Sequence, residues 1–101
     1  MHSRPERALW YSEAMRSVKL DVVATPGCQI CRAFEDFWHA IERDWSNVAF
    51  RRLDLTQSAE AQAMVSQNMV FASPAIFLNG ELWATGGFDR KKFVDKLKEL
   101  S

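Results

Sequence analysis

The sequence predicts an α/β fold, a four-stranded mixed sheet with helices on both faces. Three observations carry this. A strand–helix–strand run fills residues 18–55, the pair Asn79-Gly80 separates two apolar runs, and Asp89 opens an amphipathic closing segment. Asn-Gly between apolar runs is the strongest short hairpin signal. The order β-α-β, α, β-β-α then puts helices on either side of a partly parallel, partly antiparallel sheet.

The elements follow in order. Residues 5–16 suggest an extra N-terminal helix, with Pro5 early in it as helices allow. Residues 1–17 are therefore expected to form an N-terminal extension, and 18–101 the main domain. VKLDVVA, from Val18 to Ala24, is β-branched and almost continuously apolar, like a strand buried on both faces. Thr25-Pro26-Gly27 breaks it. From Cys28 to Trp45 the period becomes helical. Phe34, Trp38, Ile41 and Trp45 form one stripe with Ile30 and Phe37 beside it, while Arg32, Glu35, Asp36, His39, Glu42 and Arg43 take the other side.

Residues 47–55 read as a second strand, and 58–68 as a short helix burying Ala61, Met64 and Val65. Strands over 74–78 and 81–84 flank the Asn-Gly turn. Asp89 caps the last helix, whose Phe93, Val94, Leu97 and Leu100 face inward, and Phe88 is placed to staple onto Phe93.

Composition narrows the function classes. With 101 residues, seven Phe and four Trp, one domain can build a core without staples. The formal charge of zero gives no sign of a nucleic-acid or acidic-membrane partner, and the lysines after Arg90 alternate with Asp95 and Glu99 as on a solvated helix face. No apolar run approaches the roughly 20 residues that span a bilayer. No apolar stretch follows the charged first residues, as a secretory signal would require. A cytoplasmic monomer is expected, or a secreted form whose signal has been removed.

The chemistry concentrates in TPGCQIC, which holds both cysteines of the chain, Cys28 and Cys31. Cys28 falls at the start of a helix, where unpaired N–H groups and the dipole favour an anion. Thiols in such motifs drop from about 8.5 to roughly 3.5–7.5. Cys31, one turn in and on the apolar side, should be the more buried. Cys28 is then the attacking thiolate and Cys31 the resolving thiol. A tetrahedral zinc site needs four ligands. Beyond the cysteines the chain offers only His2 and His39, and His39 lies about 12 Å along the helix from Cys31. No metal is expected within one chain, although two chains pooling cysteines around a cluster, or two inert buried thiols, stay open on the motif alone.

VVATPGCQIC, ASPAIFLNGELWATGGFD and the order of elements together resemble the thioredoxin-like superfamily, including thioredoxins and glutaredoxins. The resemblance implies a thioredoxin-like fold and a protein-disulfide oxidoreductase. It implies a cis bond before Pro74, packed against the cysteine pair, with Ser73 and Pro74 presenting backbone to substrate. Gly27, Gln29 and Ile30 would border the reactive sulfur. Gly86, Gly87 and Asp89 look like the glutaredoxin subsite that holds glutathione. Ordinary strand-end glycines and a helix cap explain them equally well.

The chain departs from thioredoxins at three places. Gly27 stands where their Trp precedes the first cysteine, Gln29-Ile30 replaces their Gly-Pro, and Val22 occupies the position of their buried Asp. Against the glutaredoxin pattern, the strand between Asn79-Gly80 and Gly86-Gly87 is about two residues longer, an insertion expected to preserve strand facing. The resemblance implies no dissociable cofactor beyond the redox-active disulfide. It implies disulfide-containing proteins as substrates, and a thioredoxin reductase or glutathione as electron donor. A thioredoxin-fold binding module without turnover is the rival reading.

Overall fold

Parallel pairing of two strands, closed by a crossover helix, forms one half of the sheet, and a hairpin forms the other. The computed structural model describes residues 15–101. Its elements are β1 (Val18–Ala24), α1 (Gln29–Ile41), a 3₁₀ turn (Glu42–Asp44), β2 (Val48–Asp54), α2 (Ala59–Gln67), β3 (Ala75–Leu78), β4 (Glu81–Thr85) and α3 (Arg90–Leu100). The sheet order is β2-β1-β3-β4. β1 pairs parallel with β2 and antiparallel with β3, and β3 pairs antiparallel with β4. The extra helix expected over residues 5–16 falls almost wholly outside the described residues; Met15 lies in a bend, and Arg16 and Ser17 have no regular structure.

Side chains alternate across the sheet and create two cores. Val18, Leu20 and Val22 meet Phe34 and Trp38 of α1, Ile76 and Leu78 of β3, and Phe93 and Leu97 of α3. On the opposite face Val23, Ala75 and Phe77 pack with Ala61 of α2 and with Val70. Aromatic rings bind the first core together. Phe34 meets Phe88 and Phe93 edge-on at 5.0 and 5.1 Å, so Phe88 and Phe93 share Phe34 as a common partner. Edge-to-face packing suits the ring quadrupoles.

Three local outcomes differ from the sequence reading. The helix after the cysteines ends at Ile41, and a 3₁₀ turn carries the chain to Trp45, which is buried all the same. The apolar stripe persists because the tighter turn still delivers Trp45 to the core. Secondly, strand facing slips. The β3–β4 register shifts between Ile76 and Phe77, so that Trp83 and Ala84, adjacent in sequence, both pack on the α1–α3 core; this is the effect of a bulge. Thirdly, Asp21 is buried in a strand that reads as apolar. Arg51, its direct neighbour in the β1–β2 register, donates to it at 3.0 Å and also clasps Glu60 of α2.

Candidate functional site

A tight turn delivers the first cysteine to the helix. Pro26 and Gly27 are its central residues, and Cys28 N–H donates to the Thr25 carbonyl at 3.3 Å. Gly27 has φ +75°, the left-handed conformation that the second central residue of a type II turn requires. Cys28 is then the N-cap of α1, with extended backbone.

Its sulfur does what a capping oxygen ordinarily does. Cys28 Sγ accepts the Cys31 N–H at 3.1 Å, satisfying one of the free donors of the first turn. Cys28 is half-buried, whereas Cys31 is 2% exposed. The two are joined as a disulfide. On reduction, a negative charge on Cys28 would lie against that same N–H and the positive end of the helix dipole. Burial works against a charge on Cys31. The two sulfurs are chemically unequal before any substrate arrives.

The loop before β3 reaches the pair from the other side. The Ser73–Pro74 peptide is cis. Ser73 Oγ lies 3.5 Å from Cys28 Sγ as a donor and 2.9 Å from Thr25 Oγ1. Pro74 is buried, and its carbonyl accepts the N–H of Gly86 at 2.9 Å. Gly86 has φ +79°, and a Cβ there would stand 3.1 Å from Ala72 Cβ, so a side chain would be strained by its backbone and tight against Ala72. The fold therefore brings Gly27, Cys28, Cys31, Ser73, Pro74 and Gly86 into one connected region. Gln29 and Ile30 are exposed between the cysteines; Ile30 belongs to neither core, unlike its expected place beside the apolar stripe. Asp89 is occupied as the N-cap of α3, accepting Lys92 N–H at 2.8 Å. Gly87 has open space around it.

Two concavities lie near the disulfide, one lined by its cysteines and one that stops at Thr25 and Ser73. One, about 240 Å³, is polar and runs from Cys28 and Cys31 to Arg32, Glu35 and Arg52. Arg52 donates to Glu35 there at 2.7 Å. The other, about 200 Å³, is an apolar groove between Val23, Leu55, Val65, Val70 and Phe71 that ends at Thr25 and Ser73. Phe71 at its rim is 90% exposed.

Sequence reasoning misses the Glu35–Arg52 pair and the groove, since it puts Glu35 only on the helix side opposite the apolar stripe. The i, i+4 spacing from Cys31 is the signal available for Glu35, and Arg52 needs the strand register. His39 is a surface residue bonded to Glu42 at 3.1 Å. Among the described residues no three of His, Cys, Asp and Glu gather as metal ligands, and no helix is long and apolar enough to cross a membrane.

No protein-family model and no curated protein matches the chain. Solved structures do. A thioredoxin from Fasciola hepatica is similar with a TM-score of 0.67 at 17% identity, covering 96% of this chain and 93% of its own. A reduced thioredoxin pre-protein from Schistosoma mansoni gives 0.65 at 13%, covering 95% and 90%. A mutant of a thioredoxin-like protein gives 0.55 at 26%, covering 80% and 96%. The chain has the thioredoxin-like fold, with a C-x-x-C pair closed as a disulfide at the start of its first described helix.

Proposed function

We propose that the protein is a thiol–disulfide oxidoreductase acting on protein disulfides. One observation carries this: an accessible sulfur capping a helix is bonded to a buried sulfur one turn later. In the reduced protein Cys28 attacks a substrate disulfide, expels one substrate thiolate and becomes linked to the other sulfur. Cys31 then attacks Cys28, releases the second substrate thiolate and closes the pair. The substrate gains two electrons and the dithiol loses them.

The apolar groove beside Ser73, with Phe71 at its rim, supports a polypeptide substrate, whose extended backbone would run along Ser73 and Pro74. No dissociable cofactor is needed. The electron donor in this reading is a dithiol or a flavin-dependent thioredoxin reductase. Glutathione as co-substrate is the lesser option, since Asp89 already serves as a helix cap. The protein acts as a cytoplasmic monomer in this reading, without nucleic-acid or membrane partners.

Trapping tests it. Cys31→Ser should accumulate mixed disulfides with substrate proteins, and Cys28→Ser should accumulate none. Wild-type rates of disulfide reduction by both variants would refute the mechanism.

A further inference from the structure

Cys31 must shed a proton to close the disulfide, and its surroundings oppose a free thiolate. It is almost wholly buried, and burial disfavours the charged form. The strand positions on the α1 face, Leu20 and Val22, are apolar and buried. β1 offers no acceptor for the proton there, and the polar cleft contains one.

Of the groups lining that cleft, α1 supplies Cys31, Arg32 and Glu35, β2 supplies Arg52, and the preceding turn supplies Thr25 and Cys28. Glu35 is the single carboxylate among them. It follows Cys31 by four residues, so both side chains lie on one side of the helix. Arg52 stands beside Val22 in the β1–β2 register and so points to the α1 face. Its Nε donates to Glu35 Oε2. Among the described residues no hydrogen bond engages Oε1. The side chain of Glu35 is 21% exposed, sheltered yet open to water through the cleft.

We propose that Glu35 accepts the proton of Cys31 as the disulfide closes, and that Arg52 is the positioning residue that holds the carboxylate in the cleft. This rests on the oxidoreductase reading above. The S–H bond of Cys31 breaks and its proton passes to Glu35. The electron pair left on Cys31 forms the bond to Cys28, the bond from Cys28 to the substrate sulfur breaks, and that sulfur leaves as a thiolate. Glu35 returns its proton to water. A carboxylate is a weaker base than a thiolate, so transfer and bond formation must be concerted. The gain then belongs at the lower end of general-base catalysis.

The test uses the reduced protein and dithiobis(nitrobenzoate), which releases one coloured thiolate when Cys28 attacks and a second when Cys31 closes the pair. The second phase is followed against pH. Glu35→Gln should slow it about a hundredfold near neutrality, with the gap narrowing as hydroxide takes over at higher pH. Glu35→Asp should recover part of the loss, and Arg52→Lys should fall between. An unchanged second phase in Glu35→Gln, or equal slowing at every pH, would overturn the proposal. A faster one would show that Glu35 only masks Arg52, which then attracts the thiolate itself. If Glu35→Gln fails to fold by circular dichroism, the pH profile of Glu35→Asp decides, and one superimposable on the wild type overturns the proposal. If the wild type releases no second thiolate, or Cys28→Ser keeps the first phase, the dithiol mechanism has failed, and this inference fails with it.

Discussion

The two faces of the sheet are built on different terms. The α1–α3 face is a dense aromatic core, where Phe34 alone meets Phe37, Phe88 and Phe93 at 5.0–6.1 Å. The α2 face has a smaller core, a buried ionic contact and an open groove. The contrast teaches where the fold is secured and where it is left accessible. The disulfide sits at the end of the well-packed side, at the start of α1, while the groove on the thinner side ends at Ser73, whose hydroxyl reaches Cys28 Sγ.

The comparison can be broken most severely at Phe34. Phe34→Ala removes a fully buried ring and should cost about 3–5 kcal/mol, read as a lower denaturation midpoint at unchanged slope. A loss under about 1 kcal/mol would mean that the aromatic core is not what secures this face.

Next comes Arg51. Arg51→Ala leaves the Asp21 carboxylate, whose side chain is 4% exposed, without its partner. An unpaired buried charge is costly, so the midpoint should fall at neutral pH, though by less than in Phe34→Ala, because Arg51 itself is exposed.

The sign of the pH dependence follows from Glu60. Arg51 bonds its carboxylate and holds the group below the usual carboxylate range. A depressed folded value means stability that is present above the unfolded value and lost as pH falls through the folded one. The Thr56 hydroxyl and N–H do the same for Asp54. The gap between wild type and Arg51→Ala should therefore narrow below about pH 4. A gap that widened in acid would contradict the assignment.

The smallest effect is expected at Phe71. Its ring is almost fully exposed, so Phe71→Ser should leave stability within about 0.5 kcal/mol while raising KM for a protein disulfide more than for a small one. Equal KM changes for both substrates would remove the groove from the substrate path.

Much of this was legible in the residues. The β-branched run before Thr25-Pro26-Gly27, the Asn79-Gly80 hairpin and the Asp89 cap are local signals, and each acts through a few neighbouring residues. Asn79 and Gly80 do take φ of +53° and +83°, as a tight hairpin requires. Cys28 lies at the helix start for the same kind of reason, since a proline-glycine turn must precede it.

What the chain alone could not specify depends on partners distant in sequence. Asp21 and Val22 are consecutive strand residues, and which face each meets was set by the pairing of β1 with β2. That register turns Arg51 toward Asp21 and Glu60, and Arg52 toward Glu35. The bulge that puts Trp83 and Ala84 on one face arises from the fit of β4 to β3. Local sequence determined the elements and the place of the sulfurs, because backbone preferences and capping act over a few residues. Tertiary structure alone decided which charges are buried, which cation pairs with Glu35 and where the groove opens, because those depend on strand register and on the packing of separate elements.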